Sequence, residues 1–150
     1  MVDPGSIGGA GLGRALGGGA AKVIVSRRAV KYLAMGAAEV SLRVVDGTQD
    51  GLKTAWRHGL AGLWSGGLDF ASSVGGFRPW RRASVTIIIR EIVASAPRTP
   101  TGKDLISLDA QCRIVPVRTA TAWLELAVAP PYQLEWVLHR IWPASGTLGR

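Results

Sequence analysis

The 150-residue chain has few of the residue types from which chemical sites are usually built. It contains one cysteine, two histidines and no asparagine. A single cysteine, Cys112, excludes a disulfide within the chain. Together with His58 and His139 it gives too few ligands for a structural zinc site, which needs about four. The sequence therefore predicts no bound metal and no cofactor.

Long apolar runs are also missing. A membrane-spanning helix needs about 20 consecutive apolar residues, and the best candidate stretches are interrupted by Arg90 and Glu125. The N-terminal residues lack the basic segment and apolar stretch of a secretory signal. We expect no integral membrane span and no secretion by a signal peptide, and hence an intracellular protein or one assembled inside the cell.

Acidic residues are scarce relative to basic ones. The chain has 18 Lys and Arg against 10 Asp and Glu, a net charge of +8, which attracts anionic partners such as nucleic acid or acidic proteins. A solvated surface that only keeps the domain soluble is the alternative. Six tryptophans are many for this length. Because Trp and Arg are both enriched at protein interfaces, their joint excess predicts a protein that works by contact.

Glycine is concentrated at the N terminus, where residues 1–21 hold eight of the 20 glycines. Glycine disfavours helices and makes linkers flexible. We therefore predict a Gly-rich arm over residues 1–21. The remainder, residues 22–150, has the length and the 47% apolar content of a single folded domain.

Helices are predicted in the first half of this domain. Apolar residues recur at helical spacing over residues 27–45 and again over residues 50–63, and residues 66–83 are interpreted as a loop. Residues 84–96 fit a helix by spacing and a strand by their Val, Ile and Thr content. The positions of Ile88 and Ile92 favour the helix.

The second half changes to an alternation of apolar and polar residues. This pattern predicts strands over residues 106–114, 122–128 and 134–138. The predicted fold class is therefore α+β, with two or three N-terminal helices followed by an antiparallel meander of three to four strands.

The sequence contains no complete catalytic motif. Residues 97–104 are similar to a phosphate-binding loop, G-x-x-x-x-G-K-[ST], but Pro97 replaces the first glycine and Asp104 replaces the hydroxyl that would bind magnesium. Cys112 falls on the apolar side of a predicted strand, where a thiol behaves as a small hydrophobe. No pair of carboxylates stands out as an acid and a base, so the sequence predicts a protein that is not an enzyme.

Two basic clusters are candidate contact sites. The first lies at the start of the first predicted helix, and the second is a loop in which arginines flank aromatic residues that can stack on single-stranded nucleic acid. The alternative for the loop is that its aromatic side chains pack beneath the helices while the arginines stay solvated. The candidate residues are Arg27, Arg28, Lys31, Phe77, Arg78, Trp80, Arg81 and Arg82.

Residues 88–143 contain a turn, Ala96-Pro97 followed by Thr101-Gly102 and Leu105, and a later Pro131-Tyr132 with Glu135. With these motifs the segment resembles the tail-component (minor tail or tail-completion) family of long-tailed bacteriophages, although extra residues precede Thr101 and Leu105. The resemblance implies a non-enzymatic, ring-forming subunit at a virion neck or tail. It further implies that copies of the chain and other subunits of the same assembly are its partners, with acidic neighbours or packaged DNA facing its basic residues.

Overall fold

The computed structural model describes residues 27–73 and 84–142. A helix over residues 27–34 (α1) comes first. It is followed by the strands β1 (Ala37–Gly47), β2 (Arg57–Trp64), β3 (Gly67–Ser72), β4 (Val85–Ile88) and β5 (Glu91–Ile92). The later elements are α2 (Asp104–Ser107), β6 (Arg113–Arg118), β7 (Ala122–Val128) and α3 (Leu134–Ile141).

All seven of these strands join one antiparallel sheet in the order β4-β3-β2-β1-β7-β6-β5. The two edge strands, β4 and β5, are separated in the chain only by Ile89 and Arg90. The amide of Ile89 donates to Gly66, which directly precedes β3 on one side of the sheet, and the amide of Arg90 donates to Arg118 of β6 on the other side. Because two adjacent residues cannot span a flat sheet, the sheet has to curl, and it forms a half-barrel.

The main core fills the inside of this half-barrel. Val40, Leu42 and Val44 alternate along β1 and point into it, so that one face of the central strand is fully buried. The helices close the open side, α1 with Ala29 and Tyr32, and α3 with buried residues at a spacing of three and four. Those residues of α3 are Leu134, Val137 and Ile141.

The predicted fold class is wrong, since helices do not form the first half of the domain. The helix predicted over residues 27–45 stops at residue 34. Gly36 has φ of +75°, a left-handed conformation that glycine adopts more readily than other residues and that commonly ends a helix. The strand β1 begins at the next residue. Val40 and Val44 fit a helix repeat, yet Val40, Leu42 and Val44 also fit a strand repeat, and pairing on both sides of β1 decides for the strand.

The next three predictions are also wrong. Residues 50–63, expected to be a helix, contain most of β2, and residues 66–83, expected to be a loop, contain β3. Residues 84–96, for which a helix was favoured, form β4 and β5. Leu63, Leu68 and Ile87 are directly paired across three strands and all buried, which a helix could not achieve.

The C-terminal predictions are mixed. A strand over residues 122–128 is confirmed as β7. The strand predicted over residues 106–114 is wrong for most of its length, because α2 includes Ile106 and β6 begins only at Arg113. Residues 134–138 belong to α3, not to a strand, because their apolar positions also fit a repeat of three to four residues.

The predicted Gly-rich arm, residues 1–21, lies outside the described residues. Within residues 27–73 and 84–142, every helix is too short to cross a membrane.

Candidate interaction site

The segment from Arg98 to Cys112 lies across the outer face of the sheet. Arg98 forms an isolated bridge with Ile114 of β6, with N–O distances of 3.0 and 2.8 Å. Beneath the segment is a second, smaller apolar cluster that is separate from the main core. Its buried members are Leu108, Cys112, Ile114 and Ala127, with Trp56 and Ala129 packed against them.

Charged residues also hold this segment on the sheet. Glu125 of β7 accepts two hydrogen bonds from Arg98, at 3.0 Å from Nε and 2.9 Å from Nη2, and a third from Arg43 Nε at 2.9 Å. Arg43 is its register partner on β1. The Glu125 side chain is only 13% exposed. A forked arginine on a carboxylate is among the stronger polar contacts in proteins.

Asp104, the first residue of α2, extends this ion-pair network. Its carboxylate accepts hydrogen bonds from Arg98 Nη1 at 2.8 Å, from the indole of Trp56 at 3.1 Å and from the backbone amide of Thr101 at 3.1 Å. The guanidinium of Arg43 lies 5.4 Å from the centre of the Trp56 ring, within cation–π range. We call Arg43, Trp56, Arg98, Asp104 and Glu125 the ion-pair network.

The network shifts the acidity of its members. Hydrogen bonds to Glu125 and Asp104 raise the pKa of Arg98 above its ordinary value. The hydrogen bond from Arg98 lowers the pKa of Asp104 to about 2. Burial alone would raise the pKa of Glu125, but the hydrogen bonds from Arg98 and Arg43 outweigh it, and the net shift is downward.

We expect Asp104 to make stability depend on pH in the acid range. The folded protein keeps this carboxylate ionised down to about pH 2, whereas the unfolded chain binds the proton near pH 3.8. The resulting stabilisation, about 2 kcal/mol, is complete well above pH 4 and is lost as the pH falls to 2. Urea unfolding of the wild type and of Asp104→Asn should show their difference in stability shrinking between pH 6 and pH 2. A difference that stays constant over this range would contradict the assignment.

The residues directly after Asp104 face solvent. Although α2 is held at its first residue, none of its four residues is buried. Leu105 is 51% exposed and Ile106 is 85% exposed. We call these two residues the apolar pair. The anchored turn thus presents two adjacent large aliphatic side chains to water, which makes it a candidate contact site.

A cleft of about 270 Å³ opens on the same outer face. A cross-strand pair, Ser41 of β1 and His58 of β2, lies in its floor with Ser41 Oγ 2.6 Å from His58 Nδ1. The apolar part of its wall includes Ala127, Ala129 and Pro131. We call this the outer cleft.

Cys112 also lines the outer cleft, but its thiol is buried, and burial raises its pKa. His139 lies exposed on α3 and does not line the cleft. A serine beside a histidine is the start of a nucleophilic site, yet among the described residues no carboxylate hydrogen-bonds to His58. The described part of the chain also gathers no three metal-binding side chains.

The first predicted basic cluster lies on α1. Arg27, Arg28 and Lys31 are all exposed, and Arg28 pairs with Glu39 at 3.3 Å. Glu39 in turn accepts a hydrogen bond from the hydroxyl of Tyr132 at 3.1 Å. The second predicted cluster lies outside the described residues. It comprises Phe77, Arg78, Trp80, Arg81 and Arg82.

Comparison with known proteins gave no match to a family model, to a curated protein or to a solved structure. The site is therefore interpreted from its own geometry. The sequence alone did not indicate the ion-pair network, the apolar pair or the outer cleft. Its one available signal was Asp104, whose carboxylate made residues 97–104 unsuitable for phosphate and instead binds Arg98.

Proposed function

We propose that this protein is a non-enzymatic structural subunit that associates with copies of itself in a larger assembly. The observation that carries the proposal is the apolar pair on α2. Ile106 is 85% exposed although the residue before the pair, Asp104, has its carboxylate bound by three donors. In a monomer the apolar side chains stay in contact with water, whereas in an assembly a neighbouring subunit buries them.

The rigidity of the segment supports an interface role. Binding costs conformational entropy for each side chain and loop that must be ordered on contact. Because the ion-pair network fixes the backbone before contact, a partner of the apolar pair does not have to order the turn. Anchored apolar side chains of this kind are the usual energetic centre of an interface.

We further propose that the assembly is a tail or a head–tail connection of a long-tailed bacteriophage. The support is the resemblance carried by Ala96-Pro97, Thr101-Gly102 and Leu105. These residues form the turn that the ion-pair network holds on the sheet and that ends in the apolar pair. A virion location and contacts with other subunits of the same particle belong to this proposal.

Replacing Ile106 by glutamate tests the role of the apolar pair. We expect sedimentation velocity and native mass spectrometry to show a wild-type oligomer and a variant whose self-association is weaker by about tenfold or more. Stability should change by no more than about 0.5 kcal/mol, because the side chain is exposed and glutamate suits a helix. Val45→Glu, at an exposed apolar position of β1, serves as the matched control.

Two outcomes would refute the proposal. One is a wild-type chain that remains a monomer at every concentration and joins no larger particle. The other is a folded Ile106→Glu variant that assembles as the wild type does.

The distribution of charge along the chain supports a second candidate function, the binding of nucleic acid. The described ranges hold 12 of the 18 Lys and Arg residues and nine of the ten Asp and Glu residues, so most of the net positive charge lies elsewhere in the chain. Arg78, Arg81 and Arg82 contribute to this excess, and they come between β3 and β4 in the sequence.

The double variant Arg81→Ala/Arg82→Ala tests this function. Single-stranded DNA binding by the wild type should weaken steeply as salt is raised, because each phosphate contact releases a counterion. The variant should bind more weakly. Its plot of log K against the logarithm of salt concentration should be shallower by about 1.4, since each lost phosphate contact on a single strand contributes about 0.7 to the slope. Unchanged binding in fluorescence anisotropy would exclude these arginines.

A further inference from the structure

The edge strand β4 pairs with β3 on one side, and none of the described strands pairs with its other side. We propose that this free side binds an extended peptide segment of a partner protein, which joins the sheet as an added strand and sets an acidic side chain against Arg90. The free side of β4 is separate from the apolar pair, so this inference goes beyond the proposed self-association and does not depend on it.

Thr86 and Ile88 turn their backbone groups toward the free side. The amide of Ile89 donates to Gly66, directly before β3. Along an antiparallel ladder, hydrogen-bonded pairs alternate with pairs that are not hydrogen-bonded. In the register of β4 with β3, Thr86 and Ile88 therefore occupy the positions without hydrogen bonds to β3. Their N–H and C=O groups have no hydrogen-bond partner among the described residues.

A cleft of about 300 Å³ borders the free side, and we call it the edge cleft. Thr86, Ile88 and Arg90 line it. The rest of its lining comes from the loop after β1, residues 48–50, and from the turn between β6 and β7, residues 119–121. Because the free side is walled in this way, a single extended segment fits it better than the edge of a second folded sheet.

The pattern of backbone groups selects a peptide over other small ligands. Thr86 and Ile88 each present one donor and one acceptor, and residues two apart in a strand are about 7 Å from each other. Another stretch of extended backbone offers the complementary groups at the same spacing, which is how peptides add to exposed sheet edges. A phosphate or carboxylate ion would satisfy the N–H groups only.

The edge cleft carries opposite charges toward its two ends. Arg90 follows β4, is exposed and forms no ion pair with a described residue. Asp50, also exposed, lies toward the start of β4, because a methyl group on the next residue, Gly51, would be 2.9 Å from the side chain of Val85. Charges of the opposite sign on a peptide would fix its direction in the cleft.

The direction of the peptide follows from the pairing. Antiparallel pairing is the more stable arrangement, and it runs the peptide from Arg90 toward Asp50. The preferred segment therefore has an acidic residue first and a basic residue last. Between them, the side chain of Ile88, which is 53% exposed, offers apolar surface to β-branched residues of the peptide.

Titration of the full chain with the peptide acetyl-Glu-Val-Thr-Val-Lys-amide, followed by amide chemical shifts in NMR, tests this inference. We expect saturable shift changes at the amides of Thr86 and Ile88. The peptide acetyl-Lys-Val-Thr-Val-Glu-amide has the same composition in reverse order. It should bind about threefold or more weakly, because both of its charges meet like charges in the antiparallel direction.

Two substitutions at one position separate the backbone from the side chain. Ile88→Pro removes an N–H that does not bond to β3, and proline is tolerated on edge strands. We expect it to weaken binding of the acid-first peptide by about tenfold. Ile88→Ala keeps the N–H and should weaken binding by no more than about threefold. Arg90→Ala should remove most of the preference for the acid-first peptide.

Three results would overturn the inference. They are the absence of saturable shifts at Thr86 and Ile88, equal affinity for the two peptides, and wild-type affinity in folded Ile88→Pro. Circular dichroism and urea unfolding establish that each variant is folded. If Ile88→Pro does not fold, Arg90→Ala decides, because a preference for the acid-first peptide that survives this change contradicts the assignment.

Discussion

Replacing Glu125 by glutamine is expected to lower the free energy of unfolding by about 3 kcal/mol. Glutamine has nearly the same shape, so the change removes charge and acceptor capacity without opening a cavity. Arg98 and Arg43 place three N–H donors on the two carboxylate oxygens of Glu125, at 2.9 to 3.0 Å. A glutamine amide offers one acceptor oxygen and turns its NH₂ group toward a cation, leaving guanidinium donors without partners.

Urea unfolding near pH 7 measures this effect. The matched control is Glu91→Gln, which breaks the ion pair between Glu91 and Arg118, where both side chains are nearly half exposed. Surface pairs of this kind contribute about 0 to 1 kcal/mol. If Glu125→Gln costs no more than Glu91→Gln, the network does not fix the outer segment in the way we describe.

The same substitution separates stability from assembly. Ile106→Glu is expected to reduce self-association while leaving unfolding nearly unchanged. Glu125→Gln is expected to reduce both, because it loosens the backbone that presents the apolar pair. The two variants therefore test different steps, namely contact with the neighbour and the rigidity of the surface that makes it.

Part of the fold could be predicted from the sequence. The alternation of residues 122–128 has no competing helical repeat of similar strength, and β7 is where it was predicted. In β1 the sequence supports two repeats at once, because Val40, Leu42 and Val44 satisfy a period of two while Val40 and Val44 satisfy a period of four. The choice between them depends on β2 and β7, which pair with β1 from sites distant in the chain. Local spacing does not contain that information.

The candidate site was harder to predict for the same reason. Arg98 and Glu125 are 27 residues apart, and Arg43 and Glu125 are 82 apart, so no motif joins them. Ile106 is the first residue of the strand predicted over residues 106–114. In the structure it belongs to a helical turn without a buried face. Only the location of the outer segment on the sheet shows that its apolar side chain faces solvent.

The second large loss of stability is expected from substitution of a glycine in β2. Gly59 and Gly62 both lie in β2, but they have different surroundings. A methyl group added at Gly59 would lie 2.4 Å from the carbonyl oxygen of Ala71 and 2.8 Å from the ring of Phe70, which is fully buried. At Gly62 it would meet nothing within 4 Å.

Gly59→Ala is therefore expected to destabilise the protein by about 3 kcal/mol, and Gly62→Ala by little or not at all. The contact at Gly59 involves backbone of the neighbouring strand β3, which cannot move aside as a flexible side chain can. Relief requires β2 and β3 to separate at this point. Circular dichroism can monitor the thermal unfolding of both variants, which have the same amino-acid composition because each replaces one glycine by alanine. Equal midpoints for the two variants would contradict the close approach of β2 and β3 at Gly59, whereas a loss confined to Gly59→Ala would confirm it.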